Sequence, residues 1–115
     1  MHLHKRIQLP DGQAAVVILS APEADGAAGK FIVGRSAADS GLLVLAFDTA
    51  CGFHKDIGKK YGLAPMGGGW CEIVERRRKV WISGYSTQFG REPDRQLTLA
   101  LYRAALPAYQ VEEEE

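Results

Sequence analysis

Net charge, cysteine and long apolar runs are all scarce in this chain, and each scarcity closes off a class of function. Lysine plus arginine and aspartate plus glutamate stand at 14 each, so no bulk attraction to nucleic acid or to an acidic membrane surface is expected. The longest apolar run, GLLVLAF at 41–47, is far too short to cross a bilayer. The opening residues, MHLHKRIQLP, carry no apolar core of the secretory kind. A cytoplasmic protein that engages neither nucleic acid nor membrane is the expectation. The two cysteines, Cys51 and Cys71, form no CxxC pair, and two reduced thiols are the simplest reading. Cys51 stands three residues before His54, which raises a thiol nucleophile. Only a helix start would depress its pKa, so a structural thiol is the reading.

What is present is a globular composition, 46% hydrophobic over 115 residues, enough for one domain with a single core. KRIQL and AAVVILS flank the turn-forming PDGQ and read as a hairpin. APEADGAAG reads as a loop, and KFIVGRS and LLVLAF as further strands. Asp48 or Thr49 is placed to cap a helix starting near Cys51. Phe53, Ile57 and Tyr61 recur every four residues as its buried stripe, and Gly62 ends it. LAPMGGG reads as a glycine-rich loop before two strands, WCEIVE and KVWISGY, joined by the basic turn RRR. A second helix spans Pro93 to about Leu106, with Leu97, Leu101 and Ala104 or Ala105 on one side and Pro107 as its stop. YQV adds a short last strand before glutamates 112–115, a tail expected to be disordered. Strands with two interrupting helices point to an α/β or α+β fold, a sheet with helices packed on it.

His54 carries the sharpest chemical signal. It falls in the first turn of the first helix, where free N–H groups and the helix dipole favour an anion. The same field disfavours imidazolium, which keeps the ring neutral as a base. The bland counterpart is a helix-face histidine with no chemical role. GYSTQFG, at 84–90, is a second anion-binding candidate, a strand end able to turn several N–H groups toward one point, with Ser86 adding a hydroxyl. GLAPMGGG begins like a Walker A loop but lacks the lysine that reaches the phosphates. His2 and His4 have no third ligand near them, so no metal site is expected, and the N-terminal segment reads as mobile. RRRK at 76–79 reads as a solvated hairpin turn.

Taken in order, FHKDI, GGG, a strand leading into GYSTQFG, and a helix ending in PAYQV resemble the Janus/ocnus-type phosphohistidine phosphatases from about Phe53 to Val111. The resemblance implies a small mixed β-sheet flanked by helices, a monomer, and no metal or cofactor. It implies His54 as the general base that activates water against the phosphorus of a phosphohistidine-containing protein or peptide. It implies a phosphate cradle of the Lys55 amide with Ser86, Thr87 and Gln88. The family also carries a lysine early in the strand matched by AAVVILS, where this chain has Ala14 and Ala15. Trp70 follows the three glycines in place of the family's basic residue, and Arg35 is shifted by one from a family arginine. Lys55, Lys60 and Arg91 are the candidates to replace the lost charge. The alternatives are a non-catalytic phosphate- or phosphoprotein-binding module of the same fold, and an interaction domain whose GYS loop binds no anion.

Overall fold

The computed structural model describes residues 1–22, 26–39 and 41–114. Along the chain run β1 His2–Gln8, β2 Ala14–Ser20, β3 Ala27–Ser36, β4 Leu43–Asp48, α1 His54–Tyr61, β5 Leu63–Val74, β6 Lys79–Ser83, α2 Arg95–Ala105 and β7 Gln110–Glu113. The strands form one mixed sheet in the order β1-β2-β4-β3-β5-β6-β7. It is an α+β fold in a single domain, a small mixed sheet flanked by two helices. Among the described residues no helix is long and apolar enough to cross a membrane.

Strand alternation sorts the side chains into two cores. Toward α2 point Phe31, Val33, Leu45, Phe47, Ile73 and Ile82, which meet Leu101, Tyr102 and Ala105. Phe31 and Tyr102 pack edge to face, with ring centres 5.9 Å apart. Toward α1 point Val16, Ile32, Val44 and Ala46, which meet Ile57. β4 is buried along its whole length because it lies between a parallel β2 and an antiparallel β3 and is covered on both faces. Each fully buried Leu, Ile or Phe contributes about 1.5–3 kcal/mol of transfer free energy. α1 has only eight residues and packs on β3, β5 and β4. The stretch of this face that bears Trp70 and Trp81, where β5 pairs with β6, is left open as a hollow, and Trp70 is 43% exposed.

Several local expectations are corrected. α1 begins at His54, with an extended Phe53 as N-cap and no side-chain cap. Its buried stripe is therefore His54, Ile57 and Gly58, with Tyr61 partly buried, while Phe53 is 63% exposed. Gly62 ends the helix in the left-handed conformation, as expected. LAPMGGG is not a loop but the first half of β5, and its glycines pair with Phe31, Ile32 and Val33. The N-terminal segment is not mobile but is β1, paired with β2 from His2↔Ser20 to Gln8↔Ala14. Ala27–Gly29, read as loop, opens β3, while residues 23–25 of that stretch lie outside the described residues. Glu112 and Glu113 are not a disordered tail. They belong to β7, parallel to β6, because Glu113 accepts from Arg91 at 2.7 Å and lies 3.5 Å from Arg95; Glu115 lies outside the described residues.

Asp48 caps nothing at the start of α1; it anchors the other end. Its carboxylate is fully buried at the end of β4 and accepts from the Ala50 amide at 2.9 Å, Lys60 Nζ at 2.6 Å and the Tyr61 hydroxyl at 2.5 Å. Burial by itself would raise this carboxyl, but the bonds from Lys60, Tyr61 and Ala50 outweigh it and hold the group below 3.8. Its contribution to stability is therefore complete above the unfolded value near 3.8 and is lost as pH falls through the lower folded value. Asp48→Asn should lower stability at neutral pH by about 1–3 kcal/mol. In urea unfolding followed from pH 7 into the acid range, the variant should lose less stability on acidification than wild type.

Candidate functional site

The glycine triplet of β5 is the floor on which the site is assembled. A Cβ on Gly67 would lie 2.3 Å from the Glu92 amide nitrogen, and one on Gly68 would lie 2.2 Å from the Phe31 carbonyl and 3.1 Å from His54 Cδ2. A Cβ on Gly69 would lie 2.5 Å from the Ser83 carbonyl and 3.1 Å from Arg95 Nη2. The triplet has no side chains because four other parts of the chain occupy their places. No phosphate loop is formed there.

His54 lies over this floor in the first turn of α1 and is 9% exposed. Its Nε2 is 3.0 Å from the Gly69 carbonyl. A carbonyl only accepts, so Nε2 carries the proton and donates, and the Nδ1 lone pair is left for another partner. Nδ1 has no hydrogen bond among the described residues, and it is not sealed in the interior, since the one fully buried unpartnered side-chain polar atom among them is the Tyr102 hydroxyl. Burial, the largest influence, pushes His54 below 6.5; the Gly69 carbonyl partly opposes this, and the charge of Lys30 adds to it. The result is a neutral imidazole with an oriented, accessible base.

Backbone donors left without acceptors lie on two segments, the start of α1 and the 84–90 loop. With no side-chain cap on α1, the amides of His54 and Lys55 have no acceptor among the described residues. Gly84 and Gly90, at φ 68° and 75°, turn the chain into and out of the loop that joins β6 toward α2. Ser86 and Gly90 exchange backbone bonds of 3.2 and 2.8 Å, and the Gly90 carbonyl accepts from the Gly68 amide at 3.0 Å. This closes the loop and ties it to the floor beneath His54. The amides of Thr87 and Gln88 have no acceptor among the described residues. Lys55 and Gln88 line one hollow beside α1, together with Lys59 and Phe89. Ser86 is buried, and its Oγ accepts from the Phe89 amide at 3.1 Å, so its visible role is to shape the loop; Thr87 and Gln88 are exposed.

A buried ion pair holds the loop from its other side. Arg95, at the start of α2, donates to both carboxylate oxygens of Glu92 at 2.9 and 2.8 Å and to the Gly84 carbonyl at 2.7 Å. Thr98 Oγ1 donates to Glu92 as well. The guanidinium also lies over the Phe31 ring, 5.5 Å from its centre. Arg95 and Glu92 are 3% and 1% exposed, so this bidentate pair locks both ends of the loop segment to the α2 face. Nothing in local sequence pattern marks Glu92 and Arg95 as partners beyond an i,i+3 spacing just before a helix.

The cation that acts on His54 is Lys30 of β3, a residue not anticipated. Ala14 and Ala15, where a strand lysine was sought, lie on β2, and Ala15 is sealed in the α2-side core. Of the expected substitutes, Lys60 is bound to Asp48 and Arg91 to Glu113, while Lys55 Nζ lies over the Phe53 ring. Arg35 points to the α2 face and donates to the Gly41 carbonyl. A charge at the head of the apolar run FIV, on an interior strand, was the available sign that Lys30 meets an uncovered part of the sheet. The cysteines take no part. Burial pushes Cys71 up to about 12, and burial, reinforced by Asp48, raises Cys51, so neither is a ready thiolate.

Two outcomes follow from this geometry. In a nitrogen-detected NMR titration, His54 should show the Nε2–H tautomer and a midpoint below 6.5. Arg95→Ala should cost about 3–5 kcal/mol in chemical denaturation, because Glu92 is left as an uncompensated buried charge. As to known proteins, the chain matches no family model and no curated protein.

Proposed function

We propose that the chain is a metal-independent phosphohistidine phosphatase of the kind that its FHKDI, GGG and GYSTQFG segments resemble. The observation that carries this reading is His54, neutral and fixed through Nε2–H on the Gly69 carbonyl, with Nδ1 open beside the unpaired amides of His54 and Lys55. The amides of Thr87 and Gln88 and the ammonium of Lys30 complete a set of donors for phosphoryl oxygens.

The chemistry asks little more of the protein. Nδ1 takes one proton from a water as its oxygen bonds to phosphorus, and the P–N electron pair leaves with the substrate imidazole, which takes a proton from solvent. His54 then returns its proton to solvent. Phosphoryl transfer has a loose transition state, so orienting the water and holding the phosphoryl oxygens are the main tasks. A positioned base contributes about 10²–10⁴-fold, and one well-aimed donor about 10²–10³-fold. In this reading the enzyme is a cytoplasmic monomer that needs no cofactor and acts on phosphohistidine in a protein or peptide.

His54→Ala should reduce phosphate release from a phosphohistidine peptide by at least about 10²-fold, with chelator present, while circular dichroism stays unchanged. Lys30→Ala should lower kcat/KM by about 10–100-fold through one lost charge-assisted hydrogen bond. The wild-type rate should rise with pH through a value below 6.5 and be level at neutral pH, since the unprotonated ring is the active form. Saturable phosphate binding without turnover would leave the non-catalytic phosphate-binding module instead.

A further inference from the structure

Large apolar side chains are exposed at three places, Phe53, Trp70 and Tyr85, and each is a chain neighbour of a residue that builds the site: His54, Gly69 and Ser86. Trp70 also walls a hollow on the uncovered part of the α1-side face. Trp70 and Trp81 face each other diagonally across β5 and β6, since Trp70 pairs with Ser83 and Glu72 with Trp81. Ser83 and Gly84 form the floor, and the rim carries Glu72 and Glu114. The carboxylates of Glu72 and Glu114 and the Ser83 hydroxyl hold no ion pair or hydrogen bond among the described residues. Lys30 and Lys79 lie 5.7 and 5.6 Å from the centres of the Trp70 and Trp81 rings, and neither lysine lines the hollow.

We propose that this hollow takes the guanidinium of an arginine that flanks the phosphohistidine in the substrate peptide, an inference that rests on the phosphatase reading above. A planar, weakly hydrated cation stacks on indole and forks onto carboxylates, which suits a slot with two aromatic walls and two unpaired acids. An anion or a nucleobase phosphate would meet Glu72 and Glu114. The spacing sets the register. His54 lies over Gly68, and Gly68 and Trp70 are two residues apart on one face of β5, about 7 Å along a strand. An extended peptide covers that span in two residues, so the arginine sits two positions from the phosphohistidine, or three where the peptide bends. The pocket determines specificity and takes no part in bond breaking.

Trp70 and Trp81 are the chain's two tryptophans, so indole NMR signals and intrinsic fluorescence report on this hollow alone. Short unphosphorylated peptides with histidine and, two positions away, arginine, lysine or alanine should be titrated into wild type and into Glu72→Gln/Glu114→Gln. These surface changes leave the fold intact, and Trp81→Ala serves as a second variant. Arginine peptides should shift both indoles saturably, lysine peptides less and alanine peptides not at all, with affinity falling about tenfold in the double variant. With the phosphorylated peptides, kcat/KM should favour arginine over alanine by a similar factor. The double variant should lose that preference and keep the alanine-peptide rate.

Equal kcat/KM for arginine and alanine peptides in wild type overturns the pocket assignment while leaving the phosphatase in place. Hydrolysis of no phosphopeptide, with the indole response to arginine peptides retained, removes the phosphatase reading and leaves an arginine-peptide site. Arginine amide binding as tightly as the peptides would assign the hollow to a free guanidinium compound and overturn the substrate proposal. Indole shifts that grow with protein concentration alone would overturn it too, by placing the arginine turn at 76–78 of a second copy there.

Discussion

Three consecutive residues without side chains, Gly67, Gly68 and Gly69, are the constraint on which the rest of this structure depends. Each faces a different neighbour at a distance that no Cβ tolerates: the Glu92 amide, the Phe31 carbonyl with the His54 ring, and the Ser83 carbonyl with the Arg95 guanidinium. Because β5 is bare at this point, α1 can lower a histidine onto it from one face and α2 can bring an arginine to it from the other. The two helices meet the same few ångströms of strand from opposite sides. An overpacked core costs a protein about 1–3 kcal/mol, and here the obstructing atoms are mostly backbone, which has little room to give.

The charges are arranged around that junction with a consistent logic. Arg95 and Glu92 are both sealed from water, a situation tolerable only with bidentate geometry and further bonds to Gly84 and Thr98. Asp48 is sealed too, and remains a carboxylate because three donors reach it. His54 is the counter-case: burial and a nearby lysine favour the neutral ring, and its one carbonyl acceptor only partly opposes them. Structural ions are thus fully matched, whereas the imidazole keeps one nitrogen unmatched at the surface. That contrast, between groups that are satisfied and one that is not, is the physical content of calling this a site.

Much of the architecture was legible in local pattern. PDGQ between two apolar runs is a hairpin, Gly62 stops α1, and the segments KFIVGRS, LLVLAF, WCEIV and KVWIS are strands, because turn chemistry and β-branched runs are short-range signals. His54 could be picked out for the same reason: its place in a first helical turn is visible from seven or eight neighbouring letters. What misled was context. Phe53 has the right spacing for a buried stripe, but the helix begins one residue later and turns the stripe onto His54. GGG has loop composition, but here the glycines are demanded by close packing within a strand. The glutamates near the C-terminus have the composition of a solvated tail, yet Arg91 and Arg95 hold Glu113 in a strand.

The sequence by itself determined most of the strands, both helices, the stop of α1 at Gly62 and the place of His54 in a first helical turn, since each rests on interactions among residues close along the chain. Only the tertiary structure decided that Lys30, from β3, is the cation beside His54, that Glu92 and Arg95 lock the 84–90 loop, and that Trp70 and Trp81 share an open hollow. Those pairings depend on strand order and register, β3 beside β5 and β5 beside β6. Strand order follows from the free energy of burying two cores at once, a sum over the whole chain that no short window contains.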